Sequence, residues 1–332
     1  MSPVIRSVLV CLVAVVALSW AVPLPAGAEE SLLCIVGSNV RVRAEPSLKG
    51  KEIGVVRFGQ IVPTLDQTAK PETVAGMTDV WRKVRLPDGK EGWVFGGLTM
   101  SYDPARPVDC LIAACDRRLE MTDTIPADAI VVLDWANDRL KNATTDDERL
   151  FFGVYQPLIL SWFASRLMDK DHDPEKAIKH PAVKPYADLL VYSEPAGQWL
   201  PRTERLWELH DRYAASALSD RLARKIADIP LPGESEGYPP AVLSRAMLSL
   251  GEYLKRHPDG LFVEEVLTVL KDWINFDPQP GFDPMADLHP DDFPSFRQQI
   301  AECKALLQKI DHPRKGAVLE RLDAALQRLD RR

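Results

Sequence analysis

The sequence predicts a multidomain chain: a small all-β barrel followed by an all-α helical array. Three observations predict it. Apolar residues alternate with a period of two between Leu32 and Leu98, and they recur at helical spacing beyond Pro104. The length of 332 residues is also about twice what one domain ordinarily needs. A composition of 46% hydrophobic and 27% charged residues suits a packed globular protein and not a disordered one. Twenty-seven prolines against eighteen glycines point to many short, sharply stopped elements, and away from a long coiled coil or a collagen-like fibre. The net charge of −7 argues against a nucleic-acid partner, because displacing counterions from phosphates needs a basic footprint.

Residues 1–28 read as a secretory signal peptide. Arg6 precedes an apolar core from Val8 to Trp20; Pro23, Pro25 and Gly27 then break any helix, and Ala26-Gly27-Ala28 offers small residues for cleavage. The apolar run is short of the ~20 residues that span a bilayer, and no later segment approaches that length. An exported protein of the periplasm or the extracellular space is therefore expected, with no membrane span once the leader is cleaved. Removing Cys11 with the leader leaves Cys34, Cys110, Cys115 and Cys303, an even number that suggests up to two disulfides. On a helix from Val108 to Leu119, Cys110 and Cys115 would stand roughly 8.6 Å apart, beyond disulfide reach. Cys34–Cys110 with Cys115–Cys303 is the favoured pairing; free buried thiols are the alternative.

Residues 29–104 read as the barrel and the start of a linker. Val40 and Val42 alternate with Arg41 and Arg43, as on a half-buried strand. Ile53-Gly54-Val55-Val56, then Ile61-Val62 after Gly59, supply further strands. Trp81, Val84 and Leu86 lead into Pro87-Asp88-Gly89-Lys90, a tight-hairpin signal, and Gly92-Trp93-Val94-Phe95 returns from it. Five or six short strands of this spacing suit a small barrel that closes its own edges. Asn39 to Pro46, the Ile53-Gly54 and Gly59 spacing, Trp81-Arg82-Lys83-Val84 and Gly92-Trp93-Val94 together resemble a bacterial SH3-like domain. The resemblance covers about a fifth of the chain and implies an SH3-type barrel that contacts a peptide, a protein or a cell-wall ligand. Asp66–Thr78 departs from the pattern and would enlarge one loop. Trp81, Trp93 and Phe95 are the aromatic candidates for ligand contact, against a competing role in the core. Arg41 and Arg43, facing outward, are candidates to meet acidic ligand groups.

Residues 105–332 read as helical. Tyr102 to Pro107 forms a proline-stiffened link. Leu206, Leu209, Tyr213, Leu218, Leu222 and Ile226 then recur at helical spacing behind Thr203, a possible cap. Val263 to Ile274, Ile300 to Ile310 and Val318 to Leu329 carry similar stripes, and Asp123, Thr145 and Ser295 stand where helices could start. About eight to ten helices are expected, with no strand series between them. The segment Ser249 to Ile274, a helix pair around His257-Pro258-Asp259-Gly260, resembles a tetratricopeptide-type hairpin. No regular period of that kind runs through the rest, so the expectation is an irregular array. Residues 29–104 balance ten basic against ten acidic side chains, whereas 105–332 hold thirty against thirty-eight, a net of −8. The acidic charge belongs to the helical half and is compatible with a basic partner.

Motifs for chemistry are sparse. Asp109-Cys110 sits where a peptidoglycan cysteine peptidase would carry its nucleophile, but none of the six histidines is followed by glycine, as the general base of that class would be. There is no His-Glu-x-x-His, no phosphate-binding glycine loop and no nucleophile elbow. Asp169-x-Asp171-x-Asp173 begins like a calcium loop, yet Pro174 and His180 occupy the positions that need the turn glycine and the bidentate glutamate. No cofactor and no metal are expected. A long proline-rich loop carries two Phe-Asp-Pro copies, at Phe276 and Phe282; these aromatics and Phe293 are further contact candidates, against a role in pinning the loop to the core. The functional expectation is a non-enzymatic envelope protein that binds or scaffolds. The alternative is a peptidoglycan-directed hydrolase whose catalytic domain is helical. The sequence does not specify an oligomeric state.

Overall fold

The computed structural model describes residues 31–121, 124–168 and 173–331. The expected leader (1–28), the helix start at Asp123 and the carboxylates Asp169 and Asp171 lie outside these residues. The described chain opens with strands β1 (Leu32–Ile35), β2 (Asn39–Arg43), β3 (Glu52–Arg57), β4 (Ile61–Gln67), β5 (Glu72–Val74), β6 (Met77–Asp79), β7 (Trp81–Arg85), β8 (Glu91–Phe95) and β9 (Thr99–Tyr102). Seven of them form one antiparallel sheet in the order β3-β2-β8-β7-β4-β1-β9. Alternation folds it: Val40 and Val42 turn inward while Arg41 faces solvent. Leu33, Val42, Val56, Val62, Val84 and Val94 then share one apolar core, each burial stabilising by about 1.5–3 kcal/mol. At Asp88-Gly89 the chain reverses with Gly89 at φ +83°, a conformation that glycine adopts without steric cost.

Two details of the barrel differ from expectation. The ladder does not close, because β3 and β9 remain its two edges. The long insertion is itself folded: β5 and β6 pair as a separate hairpin, Val74 opposite Met77, around a two-residue turn in which Ala75 and Gly76 both have positive φ.

Eleven α-helices follow among the described residues: α1 (Pro107–Glu120), α2 (Pro126–Lys141), α3 (Asp146–Met168), α4 (Pro174–Lys179), α5 (Thr203–Arg212), α6 (Ser219–Ala227), α7 (Pro239–Ala246), α8 (Glu252–Arg256), α9 (Val263–Trp273), α10 (Phe293–Gln308) and α11 (Lys315–Asp330). The surplus over expectation comes from α4 and α8, six and five residues long, too short to carry a full apolar stripe. A strand pair that the sequence pattern did not predict, β10 (Leu190–Ser193) and β11 (Gln198–Pro201), interrupts the helices as a hairpin closed by Gly197 at φ +60°. Each strand is only four residues long, below the length at which alternation separates from chance.

Helix α3 is the axis of the helical half. Thr145 and Glu148 cap its start reciprocally: Glu148 N–H donates to Thr145 Oγ1 at 3.2 Å and Thr145 N–H to Glu148 Oε2 at 3.2 Å. Leu150, Phe151, Val154, Tyr155, Ile159 and Phe163 are all buried, so the helix is apolar round most of its circumference. It packs against α2, α4, α5, α6 and β11. Behind it, α7, α9, α10 and α11 pack together. Between α7 and α8 the backbone takes one π-helical turn, Met247–Gly251.

The two halves are not separated by a flexible joint. Cys34, Val36 and Phe58 of the barrel are buried within the same apolar cluster as α1, α2 and α3. Helix α1 lies against β1 and covers the β9 edge. Arg117 on it donates to Thr99 O at 3.0 Å and Gly97 O at 2.8 Å, while Arg118 donates to Ser38 Oγ at 2.6 Å, which in turn donates to Asp128 O at 2.6 Å. Trp135 of α2 meets Phe58 edge-on at 4.8 Å and lies over Gly59, whose φ is +76° and where an added Cβ would stand 2.6 Å from the indole nitrogen.

Candidate functional site

The outer face of the barrel carries a strip of charge around one aromatic ring. Trp93 is flanked in sequence by the buried Gly92 and Val94, so its ring turns outward and stays half-buried. It stands opposite Arg43 on β2 and opposite Lys83 on β7, which places the indole between two cations across three strands. Arg43 also donates to Gly50 O at 2.8 Å, and Lys83 pairs with Glu91 at 2.8 Å. Arg41, exposed, lies 3.4 Å from Glu52 and stands opposite Val55, itself exposed, on β3. Such exposed pairs are weak and give way readily to a ligand.

Trp81 and Phe95 take the other role considered for them. Trp81 is 2% exposed and Phe95 is buried against it at 5.8 Å. The Trp81 indole donates to Glu72 Oε2 at 2.8 Å and so fastens the β5–β6 hairpin to the barrel. As ligand contacts both are corrected: they are buried against each other beneath that hairpin and present no face to a ligand.

The two Phe-Asp-Pro copies divide in the same way. Phe276 is buried edge-on to Phe296 at 5.6 Å, so it is an anchor and not a contact residue. Asp277 and Asp283 pair with Arg321 and Arg328, which fixes the loop to α11 at two points. Phe282 is 61% exposed at a tip where its backbone bridges to Gln279 at 2.7 and 3.0 Å around Gly281, φ +79°. Phe293 is half-buried at the start of α10.

None of the four described cysteines is disulfide-bonded. Cys34, Cys115 and Cys303 are buried and Cys110 is half-buried. Burial pushes the Cys34 thiol up to about 12, with the neighbouring Cys110 adding to it. Burial raises Cys115 as well, and raises Cys303 to about 12. The expected Cys34–Cys110 and Cys115–Cys303 bridges are therefore corrected to free thiols. Cys34 and Cys115 meet where β1 packs on α1, whereas Cys303 belongs to α10. The Asp109 carboxylate beside Cys110 is occupied by Arg221 of α6.

A polar cluster that sequence reasoning missed lies where α5, α6 and the end of α8 meet. His210 is 1% exposed, and its Nε2 lies 3.0 Å from His257 Nε2 and 2.9 Å from Ser219 Oγ. His210 Nδ1 is 3.4 Å from Asp211, whose carboxylate is held by Arg256 at 2.6 Å; that guanidinium also lies over the Trp207 ring at 4.7 Å. Burial, first among the causes, lowers the pKa of both imidazoles. A hydroxyl beside an imidazole suggests a nucleophile and its base; here Ser219 and His210 are both buried, and the arrangement ties α5, α6 and the end of α8 together. No motif marks it, because His210 occupies an ordinary apolar-face position after Leu206 and Trp207.

The π-helical turn opens the surface nearby. Two adjoining clefts, of about 480 and 530 Å³, share Leu248 and Glu252 as a dividing wall. Leu248 is 55% exposed, and in the second cleft Gln299 Oε1 is buried without a hydrogen-bond partner. π-Turns of this kind often mark functional positions, and this one lifts an apolar side chain into solvent between walls of mixed charge.

Residues 38–99 match the family model of the bacterial SH3 domain. The barrel is thus of the bacterial SH3 type, followed by a helical region that the match does not reach. No curated protein and no solved structure matches the chain. The matched segment runs from just before β2 to the first residue of β9. β1 and nearly all of β9 fall outside it, and these are the two strands on which α1 packs. The additions to the matched module thus supply part of its joint with the helices, alongside Ser38, Phe58 and Gly59 inside the match.

Proposed function

We propose that this chain is an exported protein of the bacterial cell envelope that binds a peptide, protein or cell-wall ligand through its SH3-type barrel and holds it against the helical half as a scaffold. The observation that carries this reading is the outward strip of Arg43, Trp93 and Lys83, extended by Arg41, on a barrel of the bacterial SH3 type. An indole between cations suits a ligand with a flat or apolar part and acidic groups. The barrel shares a core with α1 and α2, so a ligand bound there is positioned by the whole molecule and not by a tethered module. In this reading the protein performs no covalent chemistry of its own.

The test uses the full chain. Co-sedimentation with purified murein and pull-down from envelope extract should retain the wild type, and Trp93→Ala or Arg43→Glu should weaken retention about tenfold or more. Equal retention of wild type and both variants would remove the barrel face from consideration. A dye-release assay on the same murein should give no cleavage, and reproducible release would favour the hydrolase instead. Cell fractionation should place the chain outside the cytoplasm.

A further inference from the structure

The helical half carries the negative charge of the molecule, yet on one flank of α3 two guanidinium groups make no ion pair, although the charge of Asp128 reaches Arg118. Arg118 of α1 and Arg166 of α3 both stack on the ring of Trp162, at 5.4 and 5.6 Å from its centroid. Arg118 is 6% exposed; its Nη1 donates to Met121 Sδ at 3.1 Å and its Nη2 to Ser38 Oγ at 2.6 Å. Arg166 makes one long contact, Nη2 to Met121 O at 3.5 Å. Neither forms an ion pair among the described residues. Three N–H donors of this cluster, Arg118 Nε, Trp162 Nε1 and Arg166 Nε, are buried with no hydrogen-bond acceptor among the described residues. Buried donors are usually paired, so the surroundings of these two cations are short of acceptors among the described residues.

A cleft of about 420 Å³ opens beside them, lined by Trp162 and Arg166 of α3 together with residues of α1, α6 and β11. Its polar lining adds Gln198, Lys225 and Asp228, and Leu158, Leu200 and Ile229 contribute apolar surface. The other charges in the wall are already satisfied: Lys225 pairs with Asp116 at 2.6 Å, and Asp228 pairs with Arg224. The hydroxyls of Ser161 and Ser165 donate to Trp199 O at 2.6 Å and Ser161 O at 3.0 Å. Among the described residues, Arg166 is thus the lining charge without an ion pair.

We propose that this cleft is a second binding site, taking a carboxylate-bearing ligand whose acid group pairs with Arg166 and whose apolar body lies along Leu158, Leu200 and Ile229. A planar guanidinium held by an indole face is preorganised for a bidentate carboxylate. Two sources share this chemistry, the free C-terminus of a peptide and a small apolar acid. The proposal is independent of the reading of the barrel face.

Isothermal titration of the full chain tests it with three probes: an acetylated dipeptide ending in leucine with a free carboxylate, the same dipeptide as its C-terminal amide, and 3-phenylpropionate. The two acids should bind, and the amide should be weaker than its parent acid by roughly tenfold or more. Tighter binding of the dipeptide than of phenylpropionate assigns the site to chain termini; the reverse assigns it to small acids. Arg166→Gln should lose the acid preference, and Arg166→Lys, which keeps the charge but not the planar fork, should retain part of it. The proposal is overturned if acid and amide bind alike, if neither acid binds at millimolar concentration, or if a folded Arg166→Gln protein keeps the wild-type preference.

Discussion

The barrel and the helical half bury their apolar residues by different rules. In the barrel each strand contributes its alternate side chains to one small core, and the outward residues between them are free to present chemistry. In the helical half the central element, α3, has almost no free face, and the surface belongs to the shorter helices around it. The helical core also reaches into the barrel and takes Cys34, Val36 and Phe58 as its own. A module that resembles a separable unit in sequence is therefore structurally the wall of a larger core.

That comparison is broken most directly at the joint. Trp135→Ala removes the ring that contacts Phe58, Gly59 and Phe152, and should cost about 3–5 kcal/mol. Gly59→Ala acts from the other side by combining a positive φ with a Cβ driven against the indole, and should cost about 1–3 kcal/mol. Because the core is shared, near-ultraviolet and far-ultraviolet melting curves should shift together in both variants. If the helical signal kept its midpoint while the barrel alone melted earlier, the halves would be thermodynamically independent.

The same comparison explains what could be read in advance. In the barrel Val40-Arg41-Val42-Arg43 and Asp88-Gly89 each carry their geometry locally, so strands, hairpin and family likeness could all be read from short segments. The role of each aromatic could not: Trp81 and Trp93 both stand in strand patterns, and only cross-strand register puts one under the β5–β6 hairpin and the other outside. In the helical half helix existence followed from the 3.6-residue stripes, but partners separated by tens of residues left no mark. His210 and His257, or Arg118 and Arg166, come together through packing alone. The cysteine bridges failed for the same reason, since an even count says nothing about which helices face each other.

The histidine cluster gives a smaller, pH-dependent test of the helical side. His210 and His257 are held below the ordinary value of 6.5, burial being the main cause. Asp211 opposes the shift at His210 and Asp220 opposes it at His257, while Arg256 reinforces both. The fold favours the neutral rings, so their contribution is complete above the unfolded value. It is lost as pH falls through about 6.5, where the unfolded chain takes up protons more readily than the native one. Denaturant midpoints from about pH 7.5 to about pH 5.5 should fall for the wild type and fall less for His257→Gln. Parallel curves would show that the two rings titrate as freely in the fold as in the unfolded chain.

The smallest expected effect on stability separates the two tryptophans of the barrel. Trp81→Phe should destabilise by about 1–3 kcal/mol, because the Glu72 carboxylate loses its donor and the space above Phe95 is left unfilled. Trp93→Ala should change stability by less than about 1 kcal/mol, since its ring is half outside and its strand partners Arg43 and Lys83 keep other hydrogen bonds. Binding should respond in the opposite order, with retention on murein or an envelope partner lost in Trp93→Ala and kept in a folded Trp81→Phe protein. A stable Trp93→Ala protein that still binds would leave the outward strip as an ordinary solvated face, and ligand recognition would then have to be sought on the helical half.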